Sequence, residues 1–389
     1  MKRSYIALFL AFSVLFGTPA AAYAASSGTE SRYFVPTTKS FWKGALKARH
    51  IFEDGFTADL SDFQIRLARL AGIKPIAVKK FNILADAAAT PTPQPTPAET
   101  VSWGVRAMIH GDATKDLTVG AGRLVAVLDT GIDREHPDLK RRLDGCNDLT
   151  DPASGFIEDS CDDLNGHGTH VAGIIAADGG SDGTGMFGFA PAASVSAYRV
   201  CSPSGTCFSD DIAVAIRHAV DAGANIIVLG VGGEAQSSFI DDALGYAAEK
   251  HVMVIGAAGN DGPYEDSLDW PARDTRVLSV GALNSDETVA EFSSRGTNRT
   301  TKPYHTDAGD IEFAAPGVNI ESTFREGGYA ILSGTSMAAP HLAGLAVRVW
   351  QGDAKNPAEA TRALLHELAV DVGTLGDDAA TGWGMPVQK

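Results

Sequence analysis

The stretch LVAVLDTGID, residues 124–133, decides the fold. Its first five residues are apolar without interruption, which is typical of a parallel strand covered by helices on both faces. Similar apolar runs follow at residues 195–200, 225–229, 252–255 and 277–280. Helical patterns lie between them, at residues 169–177, 210–222 and 238–250. Strands that alternate with helices predict an α/β fold with a doubly wound, mostly parallel sheet.

Three short motifs carry the residue types of nucleophilic catalysis. In a doubly wound sheet, ligands bind beyond the carboxyl ends of the strands, and Asp129 follows the first apolar run directly. His167 and Ser336 each stand at the start of a predicted helix. Serine becomes a strong nucleophile when a base takes its proton, and the base needs a carboxylate to fix its tautomer. The three residues therefore predict a hydrolase that works through a serine nucleophile.

Each of these residues also has a simpler interpretation. Asp129 would cap a turn, and Ser336 would cap its helix. His167 or His170 would be a core residue, or the two would form an H-x-x-H metal pair, although the glutamate of H-E-x-x-H and a third ligand are missing.

Two other enzyme classes would share alternating strands and helices. A dinucleotide-binding oxidoreductase needs G-x-G-x-x-G, and Ala235 stands where the third glycine would follow Gly230 and Gly232. An α/β-hydrolase needs G-x-S-x-G, whereas Met337 and Ala338 follow Ser336. Both classes are disfavoured.

Taken together, the motifs resemble those of the subtilisin-like serine proteases, over about residues 101–384. The matching motifs are VAVLDTGID (125–133), HGTHVAG (167–173), AAGN (257–260) and GTSMAAP (334–340). The resemblance implies that Ser336 attacks the peptide carbonyl, that His167 is the base and that Asp129 orients it. It also implies that Asn260 helps to stabilise the oxyanion, that the substrates are polypeptides and that the protein is a monomer.

The resemblance extends to the substrate-binding strands. It implies that Gly230, Val231 and Gly232, together with the segment Ala257, Ala258 and Gly259, bind an extended peptide. The family usually has a serine where this chain has Gly230, so a hydroxyl is lost. Asp269 aligns near the floor of the pocket for the residue before the scissile bond, and Asp261 lies at its rim. Both acids favour the hypothesis of a preference for Lys or Arg, and the alternative is that they are solvated loop residues.

A structural calcium ion is a further implication of the resemblance. Asp138 matches a calcium-binding aspartate of the family, and residues 178–186 match the loop that supplies the other oxygens. The expected ligands are Asp138, Asp182, Thr184 and Met186. The loop is about two residues longer and richer in glycine than the usual pattern, and the alternative is an ordinary polar turn.

The first hundred residues divide into three segments. Residues 1–24 begin with Lys2 and Arg3, continue with an apolar run and end in Ala22-Tyr23-Ala24, which is the pattern of a secretory signal peptide. The apolar run is too short for a membrane anchor. Residues 25–84 predict a small α+β module, and the Ala-, Thr- and Pro-rich residues 85–100 predict an extended linker.

The α+β module has its own strand and helix pattern. Strands are predicted at residues 33–35 and 76–78, helices at 41–48 and 62–70, and a hairpin or pair of strands at 50–60. The resemblance identifies this module as an inhibitory pro-domain and residues 101–389 as the peptidase domain. Self-cleavage is then expected between Thr96 and Val101, and the protein is expected to be extracellular or periplasmic, with no membrane attachment after signal removal.

The charge is uneven along the chain. Residues 1–99 carry 12 Lys and Arg against 7 Asp and Glu, whereas the rest carries 20 against 41. Such an acidic body excludes nucleic acid as a partner, because nucleic-acid binding needs a basic face.

Four cysteines, Cys146, Cys161, Cys201 and Cys207, predict two disulfides in an exported chain. Three pairings are possible, and proximity in sequence favours Cys146–Cys161 and Cys201–Cys207. Zinc binding is the alternative, but neither pair has the C-x-x-C spacing of zinc sites.

Overall fold

The computed structural model describes residues 31–84, 92–109, 115–299 and 306–388. The predicted signal peptide and the first part of the predicted linker, residues 85–91, lie outside the described residues. Within these ranges, every helix is too short or too polar to cross a membrane.

The strands and helices have the following bounds. The strands are β1 (Ser31–Val35), β2 (Phe56–Leu60), β3 (Ile76–Ala77), β4 (Lys80–Ile83), β5 (Leu124–Asp129), β6 (Leu143–Asp148), β7 (Ile157–Glu158), β8 (Ser194–Arg199), β9 (Thr206–Phe208), β10 (Ile226–Leu229), β11 (Val231–Gly232), β12 (Met253–Ala257), β13 (Val277–Leu283), β14 (Phe313–Pro316), β15 (Ile320–Phe324), β16 (Gly328–Leu332), β17 (Ala369–Val370) and β18 (Met385–Pro386). The helices are α1 (Ser40–Ala45), α2 (Asp62–Leu70), α3 (Trp103–Met108), α4 (His167–Ala176), α5 (Ser209–Asp221), α6 (Ser238–Glu249), α7 (Thr335–Arg348) and α8 (Pro357–Leu368).

The centre of the molecule is a sheet with strand order β14-β13-β12-β10-β5-β8-β6-β7. All neighbours pair in parallel except β6 and β7. Side chains alternate between the faces of β5: Val125 and Val127 pack in the core that contains α4 and α7, whereas Ala126 and Leu128 pack in the core that contains α5 and α6. Helices on both faces confirm the predicted α/β, doubly wound, mostly parallel sheet.

Strand β5 lies where the order of the sheet reverses. Its neighbours are β8 on one side and β10 on the other, so the chain winds away from it in both directions. Such a switch point leaves a crevice at the carboxyl ends of the strands, which is where ligands bind in open α/β sheets. Asp129 is the last residue of β5 and stands at that crevice.

Residues 31–77 contain a separate small sheet that packs on the body, whereas β4 belongs to another sheet, with β11 and β9. Strands β2, β1 and β3 pair antiparallel, and Val35, Trp42, Phe56 and Ile65 form the centre of their core. Helix α2 has the predicted bounds, whereas α1 ends at Ala45 rather than residue 48. The segment 50–60 turns back on itself as a short hairpin: Ile51 pairs antiparallel with Phe56, Phe52 N donates to Gly55 O, and the second arm continues as β2.

The structure contains both favoured disulfides. The Cys146–Cys161 bond ties β6 to the loop before α4, and the Cys201–Cys207 bond ties β9 to the end of β8. No cysteine is free. The prediction of two disulfides between sequence neighbours is confirmed, which excludes these cysteines as zinc ligands.

Candidate active site

Asp129, His167 and Ser336 converge at the crevice beside β5. His167 Nδ1 lies 2.7 Å from Asp129 Oδ1, and His167 Nε2 lies 2.9 Å from Ser336 Oγ. The three side chains come from the end of β5, the first residue of α4 and the second residue of α7. All three are buried. In this chain of contacts, the Asp129 carboxylate accepts a hydrogen bond from the Nδ1–H group of His167. The other ring nitrogen, Nε2, is then free to take the proton of the Ser336 hydroxyl.

The start of α4 is organised by Asp163, a residue that the sequence analysis did not single out. Its carboxylate accepts hydrogen bonds from the backbone N–H groups of Asn165, Gly166 and Thr169, and from the hydroxyls of Thr130 and Thr169. These bonds tie the turn before His167 to the end of β5. The sequence Asp163-Leu-Asn-Gly, directly before a helix, was the available signal, because Asp commonly caps such turns.

Two glycines allow the close approach of the elements around the site. Gly166 has a φ of 107°, and a Cβ there would lie 2.3 Å from the Phe324 ring. A Cβ on Gly230 would lie 2.7 Å from Asp129 Oδ2 and 3.1 Å from His167 Cε1. The serine that the family usually has at position 230 would therefore press on both side chains in this backbone conformation.

Asn260 lies beside Ser336 through a contact with Thr335. Asn260 Oδ1 accepts from the Thr335 backbone N–H and hydroxyl, both at 3.0 Å, and Thr335 Oγ1 accepts from Gly259 N at 3.1 Å. With its oxygen held in this way, the amide can donate through Nδ2. Thr335 thus orients a predicted site residue, and sequence reasoning did not assign it that role.

Strand β4 fills the cleft in front of Ser336. It pairs antiparallel with β11 on one side and with β9 on the other. At its end, Leu84 N donates to Gly230 O at 3.1 Å, and the Leu84 carbonyl oxygen lies 2.6 Å from Ser336 Oγ and 3.4 Å from Ser336 N. The residues predicted to be the substrate strand, Gly230 to Gly232, therefore pair with an extended segment of the same chain.

The two predicted specificity residues differ in burial. Asp269 is 4% exposed, and Asp269 N donates to Ala258 O, which attaches it to the segment Ala257–Gly259. Burial, with Asp261 and Glu234 as like charges, raises the pKa of Asp269 to about 7. Asp261 is exposed.

His170 does not form a metal pair with His167. Its Nε2 lies 3.0 Å from Ile320 O and 3.2 Å from Ala330 O, so this nitrogen carries a proton and donates to carbonyls. Burial is the main reason why the pKa of His170 falls to about 3. A neutral, hydrogen-bonded His170 is a structural residue of the core.

Of the expected calcium ligands, Asp138 is the most deeply buried. Its Oδ2 accepts from Met186 N at 2.8 Å and from the Tyr329 hydroxyl at 2.9 Å. Its Oδ1 faces the loop 178–186, since a Cβ on Gly185 would lie 2.0 Å from that oxygen. A buried carboxylate oxygen directed at a glycine-containing loop is consistent with a cation site.

The other expected ligands lie on the same loop. A Cβ on Gly180 would be 3.0 Å from Asp138 Oδ1 and 3.7 Å from Asp182 Oδ1, so these two oxygens are at most 6.7 Å apart. Thr184 donates to Asp182 Oδ1 through its N–H and its hydroxyl, and the Met186 carbonyl accepts from Gly179 N. The two carboxylates supply oxygens of the kind that calcium prefers, whereas the Met186 carbonyl accepts a hydrogen bond within the loop.

Comparison with known proteins identifies the family. Residues 120–384 match the model of the subtilase family, peptidase family S8. A subtilisin of Bacillus sp. (strain TA39) is 38% identical over 353 residues, which cover 85% of this chain and 83% of the relative. Two solved structures, sphericase and the S41 psychrophilic protease, each superpose on this chain with a TM-score of 0.71. Sphericase is 41% identical to it and the S41 protease 39%. The matches cover 75% and 76% of this chain and the full length of each solved structure. The chain therefore belongs to the subtilase family and is a subtilisin-like serine peptidase.

Proposed function

We propose that this chain is a secreted serine endopeptidase that hydrolyses peptide bonds through an acyl-enzyme on Ser336. The observation that carries the proposal is the pair of contacts at Ser336 Oγ: His167 Nε2 at 2.9 Å on one side and the carbonyl oxygen of Leu84 at 2.6 Å on the other. A base and a peptide carbonyl thus each lie within one hydrogen-bond length of the nucleophile.

These contacts give each residue a role. Ser336 Oγ forms a bond to the carbonyl carbon while its proton passes to His167 Nε2, and Asp129 stabilises the resulting imidazolium. The C–N bond then breaks, and His167 gives the proton to the leaving amine. A water molecule repeats the two steps, which releases the acid and restores the Ser336 hydroxyl.

The negative charge on the carbonyl oxygen needs donors in that transition state. The backbone N–H of Ser336 is one donor, and it belongs to the first turn of α7, where the helix dipole also favours an anion. Asn260 Nδ2 is the second, since Thr335 holds the oxygen of the same amide. Because these two donors are in place before the reaction, they need not be reoriented when the negative charge develops on the carbonyl oxygen.

The substrates are polypeptides in extended conformation, bound by the backbone of β11 and β9 as β4 is. The three reacting side chains come from a single chain, so we infer that a monomer suffices for catalysis.

We further propose that residues 25–84 are an inhibitory pro-domain and that self-cleavage occurs at the bond after Leu84. This differs from the sequence-based expectation of a cleavage between Thr96 and Val101. The support is that the Leu84 carbonyl contacts Ser336, whereas Ala98 N and Glu99 N donate to Glu321 and the Thr100 carbonyl accepts from Phe187 N. While β4 stays in the cleft, no other peptide can occupy it.

Export is the remaining part of the proposal. The pattern of residues 1–24 and the two disulfides both favour an oxidising compartment outside the cytoplasm, either the periplasm or the medium.

The experiment is the expression of full-length wild type, Ser336→Ala and the matched control Ser333→Ala. Wild type and Ser333→Ala should yield a shortened chain whose N-terminus, read by mass spectrometry, is Ala85, and both should react with a serine-directed phosphonate. Ser336→Ala should keep residues 25–84 and take up no phosphonate. Efficient maturation of Ser336→Ala would refute the proposal, and a catalytically inactive relative would leave all three chains uncleaved and unlabelled.

We also propose that Asp138 and Asp182 hold a structural calcium ion, which would neutralise the carboxylate of Asp138 and that of Asp182 on the facing loop. In the Ser336→Ala background, chelator should lower the melting temperature by several degrees, because an ion that binds only the folded chain stabilises it by about 2.7 kcal/mol at a hundredfold excess over its Kd. Asp138→Asn should abolish the response to chelator, and the surface control Asp353→Asn should retain it. A melting temperature indifferent to chelator in the parent would contradict the site.

A further inference from the structure

The side chain of Leu84 and the carboxylate of Asp269 share one pocket. A Cβ built on Gly232 would lie 2.6 Å from Leu84 Cδ1 and 2.7 Å from Asp269 Oδ2, so these two atoms are at most 5.3 Å apart. A Cβ on Gly259 would lie 2.9 Å from the same carboxylate oxygen. The two glycines therefore open the space in which an acid meets the side chain of the residue whose carbonyl contacts Ser336.

No cation neutralises this acid among the described residues. The basic group that acts on it electrostatically, Arg273, is occupied by the Asp266 carboxylate and by the carbonyls of Asp266 and Leu268. The other charged groups that act on Asp269 are Asp261 and Glu234, both acidic. Its carboxylate oxygens receive no hydrogen bond from any described residue. A nearly buried, unpaired carboxylate at the end of a pocket is a group that a cationic ligand would satisfy.

We propose that the charge of Asp269 decides which substrate residue this pocket binds. The pocket binds an apolar residue such as Leu84 while the Asp269 carboxyl is protonated, and Lys or Arg once that carboxyl is ionised, so that rising pH shifts cleavage toward basic residues. The inference rests on the proposed peptidase function and adds the residue class that the pocket selects.

The dimensions of the pocket suit both kinds of side chain. Lys extends two bonds beyond the Cδ position, which is roughly 2.5 Å, and Arg extends slightly further. Because a Cδ in this pocket lies at most 5.3 Å from Asp269 Oδ2, that extension is long enough for the cationic nitrogen to reach the carboxylate at about 2.8 Å, the length of a charge-assisted hydrogen bond. A leucine leaves the carboxyl without a partner, which is tolerable when the group is neutral and costly when it is charged.

The change falls in an accessible pH range. Burial, followed by the charges of Asp261 and Glu234, raises the pKa of Asp269 to about 7. One pH unit below that value about a tenth of the groups are ionised, and one unit above it about nine tenths are. Because Arg and Lys stay protonated over this range, the change in charge belongs to the pocket.

The test compares succinyl-Phe-Asn-Ile-X-p-nitroanilides, whose first three residues copy Phe81, Asn82 and Ile83 of this chain. X is Leu, Arg or citrulline, the last having the shape of Arg without its charge. The ratio of kcat/KM for Arg to that for Leu should rise about tenfold from about pH 6 to about pH 9, and the ratio of Arg to citrulline should rise with it. Any effect of pH on the steps that all three substrates share cancels in each ratio.

Three variants sharpen the result. Asp269→Asn should make both ratios independent of pH, and the surface control Asp353→Asn should behave as wild type. Should Asp269→Asn fail to mature, Leu84→Arg in the wild-type enzyme provides the same test in the chain itself, because the rate of losing residues 25–84, divided by that of the wild-type chain at the same pH, should then be greater at about pH 9 than at about pH 6.

The outcomes separate the two proposals. Cleavage of all three substrates with ratios that stay flat with pH would overturn the role of Asp269 and leave the peptidase function intact. Failure to cleave any of them, together with no maturation of the wild-type chain, would overturn the peptidase function and the inference with it.

Discussion

The buried carboxyl of Asp269 also couples the stability of the fold to pH. A carboxyl whose pKa is raised from 3.8 to about 7 by burial binds its proton more tightly in the folded chain than in the unfolded one. The folded chain therefore loses stability as pH rises from the unfolded value to the folded value. Above about pH 7, the full cost of the buried charge is present.

This coupling predicts that removing the charge of Asp269 raises the stability of the fold by an amount that depends on pH. In the Ser336→Ala background, which keeps the chain intact, Asp269→Asn should raise the free energy of unfolding above pH 7 by up to about 4 kcal/mol and change little near pH 4. Urea unfolding at the two pH values measures the difference. An equal effect at both pH values would mean that the substitution acts through packing rather than through charge.

At the scale of single residues, the sequence was sufficient for the side chains that carry motifs. Asp129, His167, Ser336 and Asn260 were predicted together, and the structure brings them to one crevice. Asp163 and Thr335 were not predicted, because their importance lies in bonds to backbone groups and to other side chains that become neighbours after folding. A single sequence contains no spacing rule for such contacts.

The start of helix α4 is the element on which the position of His167 depends. The two carboxylate oxygens of Asp163 together accept five hydrogen bonds from residues at and near the start of this helix. Each donor is a backbone N–H or a hydroxyl, so an amide in its place would lose acceptors and direct its own N–H₂ group at these donors.

Asp163→Asn should therefore destabilise the fold and misplace the base. We expect a loss of about 2–4 kcal/mol in the free energy of unfolding, since several buried donors lose a charged acceptor. We also expect a fall in kcat larger than any change in KM, because His167 moves relative to Ser336 while the substrate strands do not. The comparison is Asp162→Asn, the exposed neighbour. If the two variants behave alike, Asp163 does not organise this turn.

The elements themselves were predictable to different degrees. Strands β5, β8, β10, β12 and β13 were found from their apolar runs, because burial on both faces leaves a clear pattern. Strand β4 was missed, although it is the one that fills the cleft. It has four residues, two of them exposed, and is a strand because β9 and β11 pair with it, so its signal lies in the partners rather than in its own sequence.

At the scale of the whole molecule, a net basic N-terminal part, residues 1–99, precedes a net acidic body. The sequence predicted the opposite signs, and the structure shows where they meet. Arg32 on β1 lies 2.6 Å from Asp211 and 3.4 Å from Asp210, and His50 Nε2 lies 2.7 Å from Asp211. Both acids stand in the first turn of α5, and the group is buried. The net charges alone could not have located this contact.

Arg32→Ala should loosen the small sheet from the body, because it leaves Asp210 and Asp211 buried with less compensation. Removing one partner of a buried ion pair typically costs about 3–5 kcal/mol, far more than an exposed pair contributes. In the Ser336→Ala background, residues 31–84 should become susceptible to trypsin at a lower urea concentration, whereas Arg66→Ala, on the exposed face of α2, should leave that concentration unchanged. The shift should persist in high salt, since buried pairs are poorly screened. A shift that disappears in salt, or one that Arg66→Ala reproduces, would mean that general charge attraction and not this buried contact holds the two parts together.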